Sequence, residues 1–147
     1  MSSTNKWKSF YDKIGNETNR QEKEGKHEMT IGTVTSIGPQ AISEQDPIII
    51  LFGEEATEDI RQVSVIQAFE DGREMIELKK GQTIKFDNQS YTIEAVGSLA
   101  VDNLNSIGHI TLSFTEVPAE DMLGNGIYLS PQELPTISVG TKISYEA

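Results

Sequence analysis

From Met29 onward, apolar and polar residues alternate in short stretches separated by turn formers. Met29 to Ile37 is rich in Thr, Ile and Val and stops at Gly38-Pro39, which predicts a first strand. Asp46-Pro47 introduces Ile48 to Phe52, a continuous apolar run suited to a strand buried on both faces. Thr57 to Arg61 predicts one or two helical turns, with Glu58 and Asp59 well placed against the helix dipole. Val63 to Phe69 predicts the next strand, with Val63, Val65, Gln67 and Phe69 on one face and Ser64, Ile66 and Ala68 on the other. Gln67 is therefore a polar residue among apolar neighbours. Met75 to Leu78 predicts a brief strand. Gln82 to Phe86 and Ser90 to Val96, joined at Asp87-Asn88, read as a hairpin. Ser98 to Asn105 predicts a short helical crossing that leads into a strand from His109 to Phe114, with Ile110, Leu112 and Phe114 inward. Ile127 to Leu129 and Lys142 to Tyr145 complete the series. Seven to nine short strands with little helix predict an all-β fold, a small closed or nearly closed antiparallel β-barrel or a sandwich. Closure is favoured because it leaves no exposed strand edges. The likeness of G-Q-T-I-K-F from Gly81 to G-T-K-I-S-Y from Gly140 predicts two barrel corners built in the same way.

Before Met29 the pattern differs. Trp7, Phe10, Tyr11 and Ile14 fall at i, i+3, i+4 and i+7, one face of a short amphipathic helix. Ser3 or Thr4 can cap its start and Gly15 its end. Asn16 to Glu28 contains almost nothing apolar and reads as a polar linker. The chain thus divides into a segment 1–28, helix and linker, and a barrel domain 29–147. A helix this short is marginal alone in water and needs something to pack on. Three uses compete: docking on the protein's own body, loose order, or binding of a partner or membrane surface through Trp7, Phe10, Tyr11 and Ile14.

The 147 residues suffice for one domain that buries about 70% of its unfolded surface. The net charge of −11 is uneven: residues 1–28 carry +1 and the remainder −12. An acidic body repels phosphate backbones, which argues against nucleic acid and for a basic protein partner, or for acidity serving solubility alone. Met1 to Gly15 lacks the apolar core of a signal peptide, and the strongest apolar run, five residues at Ile48 to Phe52, is too short to span a bilayer. A cytoplasmic location is the expectation.

The absence of cysteine removes thiolate chemistry and disulfides. A zinc site needs three or four ligands, and the body offers a single histidine, so neither a metal nor another cofactor is expected. No phosphate-binding glycine loop or nucleophile elbow is present. His27 lies in the polar linker. His109 is the one remaining residue able to act as a nucleophile or proton carrier near neutral pH. It equally suits a structural role, hydrogen-bonding a neighbouring carbonyl.

Val96 to Phe114, V-G-S-L-A-V-D-N-L-N-S-I-G-H-I-T-L-S-F, resembles a segment of the glucitol/sorbitol-specific enzyme IIA of the bacterial phosphoenolpyruvate-dependent sugar phosphotransferase system. The family segment is similar to V-G-x-x-A-x-x-N-L-x-x-x-G-H-I-T-L-x-F, which Val96, Gly97, Ala100, Asn103, Leu104, Gly108, His109, Ile110, Thr111, Leu112 and Phe114 all match. A weaker likeness runs from about Met29 to Tyr145. The resemblance implies a small cytoplasmic β-barrel that takes a phosphoryl group from the phosphocarrier HPr onto a histidine. It then passes the group to the IIB part of a IIB/IIC permease. The family carries that histidine in a strand reading roughly F-I-H-C-H; the matching strand here is Val65-Ile66-Gln67-Ala68-Phe69. Gln67 stands at the phosphohistidine position and Phe69 at the second histidine. The residues expected to line the site are Gln67, Phe69, Asn103, Gly108 and His109. Three functions remain open. One is a family member without phosphoryl transfer that serves as a binding or regulatory module. The others are a phosphocarrier using His109 and a small-ligand or protein-binding barrel outside sugar transport.

Overall fold

The computed structural model describes residues 29–146. The helix expected around Trp7, Phe10, Tyr11 and Ile14 lies outside the described residues. Eight strands and two short helices follow one another: β1 (Met29–Ile37), β2 (Ile48–Phe52), α1 (Glu58–Gln62), β3 (Val65–Phe69), β4 (Thr83–Phe86), β5 (Gln89–Val96), α2 (Ala100–Ile107), β6 (Ile110–Ser113), β7 (Gly126–Ser130) and β8 (Lys142–Glu146). They close into a barrel in the order β1-β3-β2-β6-β7-β5-β4-β8, with β8 returning to β1.

The barrel is mixed rather than antiparallel, which corrects the sequence expectation. β2 runs parallel to β3 (Leu51↔Val65, Phe52↔Ile66), and β6 runs parallel to β7 (Thr111↔Gly126 to Ser113↔Tyr128). The reason lies in the connections. Parallel neighbours need a crossover of a dozen or so residues, and residues 53–64, containing α1, and 114–125 provide the two that are required. Every residue of β6 is buried, as suits a strand covered on both faces.

Local chemistry accounts for the other differences. The Thr57 hydroxyl accepts from the Ile60 amide and starts α1, and Val63 caps its end, so β3 begins at Val65 rather than Val63. Met75 to Leu78 forms no strand. Instead the Asn105 side chain imitates a backbone partner: the Ile76 amide donates to Asn105 Oδ1 (2.8 Å) and Asn105 Nδ2 donates to the Ile76 carbonyl (2.9 Å). This side-chain clamp holds Ile76 and Leu78 in the core. β4 and β8, which carry the G-Q-T-I-K-F and G-T-K-I-S-Y stretches, are neighbours (Ile84↔Tyr145, Phe86↔Ile143). Each is entered through a glycine of positive φ, Gly81 at 95° and Gly140 at 100°.

The core joins Ile49, Leu51, Val65, Ile93, Leu112 and Leu129 to an aromatic group of Phe86, Tyr91 and Phe114, whose ring centroids lie 5.2 to 6.4 Å apart. α2 adds Ala100 and Leu104, both fully buried. It ends at Gly108 (φ 71°), where the Gly108 amide donates to the Leu104 carbonyl and the His109 amide to the Asn103 carbonyl. That is the usual way a left-handed glycine satisfies the last carbonyls of a helix. The same turn crosses the end of β2 so closely that a Cβ on Gly108 would stand 2.8 Å from the Gly53 backbone.

Gly108→Ala and Gly72→Ala separate strain from space. Both glycines have positive φ, but a Cβ on Gly72 would meet nothing within 4 Å. Left-handed strain alone costs roughly 1–2 kcal/mol. Urea unfolding should show that loss for Gly72→Ala and a clearly larger one for Gly108→Ala. Equal losses would mean that the crossing with Gly53 is unimportant.

Candidate functional site

The strand alternation that places Gln67 among apolar residues turns its side chain into the closed interior, where it is 1% exposed. A buried amide has two donors and an acceptor to satisfy. Gln67 Oε1 accepts from the Tyr145 hydroxyl at 2.7 Å, and Nε2 donates to the Gly108 carbonyl at 3.3 Å. One side chain thus ties β3 to β8 and to the α2–β6 turn. Gly32 on β1 makes room for it: a Cβ there would stand 2.5 Å from Gln67 Oε1 and 3.0 Å from Phe69 Cε1.

Outward from this pair, the Phe69 ring leans on Tyr145 with centroids 6.0 Å apart, and the Arg73 guanidinium lies 4.7 Å over the Phe69 ring. Arg73 is fixed there by Asn105, donating to Oδ1 (2.8 Å) and to the backbone carbonyl (3.1 Å). Burial pushes the Tyr145 hydroxyl well above the usual tyrosine range; its hydrogen bond with Gln67 and the charge of Arg73 offset only part of the shift.

His109 sits just before β6, half-buried, with its ring stacked on Phe52 at 4.3 Å between centroids. Its Nδ1 lies 3.1 Å from the Leu51 carbonyl, and its Nε2 lies 2.7 Å from Asn125 Nδ2. A carbonyl only accepts, so Nδ1 carries the proton, and the Nε2 lone pair accepts from the Asn125 amide. Both nitrogens are engaged, and the lone pair a nucleophile needs is held by Asn125.

Of the residues expected from sequence, Gln67, Phe69, Gly108 and His109 come together in one region. Gln67 reaches the carbonyl of Gly108 rather than the imidazole of His109. Asn103 contributes its backbone carbonyl to the turn, and the asparagine whose side chain organises the region is Asn105. Sequence reasoning missed Gly32, Arg73, Asn105, Asn125 and Tyr145. The one available signal was Gln67 itself, because a polar residue on an apolar strand face demands partners. Among the described residues, no group of three or more histidines and carboxylates is arranged to hold a metal ion, and no helix is long and apolar enough to cross a membrane.

Tyr145 gives the site a pH signature. A hydroxyl whose folded pKa exceeds its unfolded value keeps its proton in the folded state after the unfolded chain has lost it. Its contribution is complete below the unfolded value of about 10 and falls by roughly 1.4 kcal/mol per pH unit above it. Wild type and Tyr145→Phe, compared by urea unfolding from pH 8 to 11, should differ in stability below pH 10 and converge above it. Parallel curves would show that Tyr145 is not buried as a neutral hydroxyl.

Comparisons with known proteins agree with this architecture. The family model of the PTS system glucitol/sorbitol-specific IIA component matches residues 29–144. The glucitol/sorbitol-specific EIIA component of Escherichia coli K12 is 29% identical over 116 residues, covering 78% of this chain and 92% of that protein. Its counterpart from Shigella flexneri is 28% identical over the same length. The crystal structure of a PTS system IIA component from Enterococcus faecalis V583 superposes with a TM-score of 0.76 at 43% identity, covering 80% of this chain and 99% of that one. The matched region takes in the whole barrel up to the middle of β8, and the chain belongs to the family of PTS system glucitol/sorbitol-specific IIA components.

Proposed function

We propose that this IIA-type barrel does not carry a phosphoryl group and acts as a binding or regulatory module toward other components of the phosphotransferase system. Its proposed partners are HPr and the IIB part of a IIB/IIC permease, met in the cytoplasm. The observation that carries this reading is the Gln67 amide, buried and engaged at both ends where the family resemblance puts a phosphorylated histidine. A phosphoryl acceptor must offer a nitrogen lone pair to phosphorus. The lone pair of an amide nitrogen is delocalised into its carbonyl, so Gln67 cannot accept. Phe69, at the place of the second histidine, has no titratable group either.

Transfer to His109 is the competing reading, and the Asn125 amide opposes it. Attack by Nε2 would first break a 2.7 Å hydrogen bond in a ring already stacked on Phe52. The acidic surface of the barrel favours encounter with a basic partner through long-range attraction.

Incubation of the full chain with phosphoenolpyruvate, enzyme I and HPr, followed by intact mass measurement, should give no phosphate adduct. Titration of isotope-labelled protein with unphosphorylated HPr and with a IIB domain should still move resonances of the Phe69–Arg73 region. An adduct that disappears in His109→Ala would establish the phosphocarrier reading. Absence of both adduct and binding would place the chain outside phosphotransferase chemistry.

A further inference from the structure

Beside Phe69 and Arg73 the barrel carries an open groove of about 750 Å³. Its apolar part is formed by Phe69 with Met29 and Ile31, which are 48% and 42% exposed although they sit on the same face of β1. Glu70, Asp71 and Glu74 supply acidic groups along it. Of the two basic residues lining the groove, Arg73 donates to Asn105 and lies over the Phe69 ring, and Lys142 Nζ donates to the Thr33 hydroxyl, itself part of the lining. This is a surface of paired apolar residues with an acidic border, and it starts at the first described residue of the chain.

We propose that residues 7–14 of this same chain occupy that groove, with Trp7, Phe10, Tyr11 and Ile14 against Met29, Ile31 and Phe69. Three arguments select this occupant. The apolar face at positions 7, 10, 11 and 14 has the width of one helix stripe. Lys6, Lys8 and Lys13 flank it and meet Glu70, Asp71 and Glu74 with opposite charge. Residues 15–28 connect this segment to Met29, and fourteen residues can span at most about 50 Å. Since the groove begins at Met29, that tether reaches it without strain. A short tether also holds the segment at an effective concentration on the order of millimolar, so modest intrinsic affinity suffices. The consequence is a built-in competitor: a protein that approaches over Phe69 must first displace residues 7–14. The proposal holds whether or not the barrel carries phosphate.

Trp7 is the only tryptophan, so fluorescence reports on this segment alone. In the full chain its emission should be blue-shifted, and acrylamide should quench it several-fold less than in a peptide of residues 1–28. Ile31→Lys should abolish both effects, and Met29→Lys serves the same purpose if Ile31→Lys does not fold. Val139→Lys, an exposed apolar residue outside the groove, should leave them unchanged. Lys6→Glu, Lys8→Glu and Lys13→Glu together should raise quenching, and more so at low salt. Quenching equal to that of the free peptide would overturn the proposal, as would protection that survives Ile31→Lys and Met29→Lys. Protection lost on dilution would assign the groove to a second copy, and protection gained only with HPr or lipid vesicles would assign the segment to a partner. Either result also overturns it.

Discussion

The barrel interior depends on one buried amide. Gln67 receives a hydrogen bond from Tyr145 and gives one to Gly108, joining three parts of the chain distant in sequence. An unpaired amide in that position would cost about 1–3 kcal/mol, so the partners and the space around them are constrained together. Gly32 has to lack a side chain for Gln67 to fit. Tyr145 has to stay neutral, and its burial keeps it so. Phe69 and Arg73 then follow in order outward, Phe69 against Tyr145 and Arg73 fixed by Asn105. The proposed absence of phosphoryl transfer rests on this hydrogen-bonded unit.

The motif that identifies the family has a largely mechanical meaning in this chain. Gly97 passes so close to the carbonyls of Leu123 and Gly124 that a Cβ would collide with them. Ala100 and Leu104 are the buried face of α2, and Gly108 combines a left-handed turn with the Gly53 crossing. Ile110, Leu112 and Phe114 complete the core. These residues set the path of α2 into β6 and thereby the place of the Gly108 carbonyl that Gln67 uses. His109 is held by Leu51 and Asn125 as one more fixed piece of that turn.

Much of this was legible in the sequence because it rests on local pattern. The apolar run Ile48 to Phe52 announced a strand, although only Ile49 and Leu51 are fully buried and its other face is partly exposed, and Gly38-Pro39 marked the real end of β1. Strand pairing was not legible, since alternation says which face is buried and nothing about the neighbour's direction. The parallel pairs β2–β3 and β6–β7 depend on the connections 53–64, where one or two helical turns were expected, and 114–125, and the pattern of neither showed that it was a crossover. Met75 to Leu78 misled for a related reason: Ile76 and Leu78 are buried alternately, as in a strand, but the backbone partner of Ile76 is the Asn105 side chain. Gln67 stood out at once as a polar residue in an apolar strand. Its partner Tyr145, 78 residues away, left no trace that spacing could show.

Family membership and the proposed absence of phosphoryl transfer meet at position 67. If Gln67 occupies the acceptor's place, returning imidazole there should return the chemistry, provided the neighbouring ring is also opened. The decisive measurement is phosphate transfer from phosphoenolpyruvate through enzyme I and HPr to Gln67→His/Phe69→His, read as added mass and mapped by peptide fragmentation. The account predicts one phosphate on residue 67 in the double variant and none in the wild type. Phosphate on His109 in either protein, or none in a correctly folded double variant that still binds HPr, would contradict it.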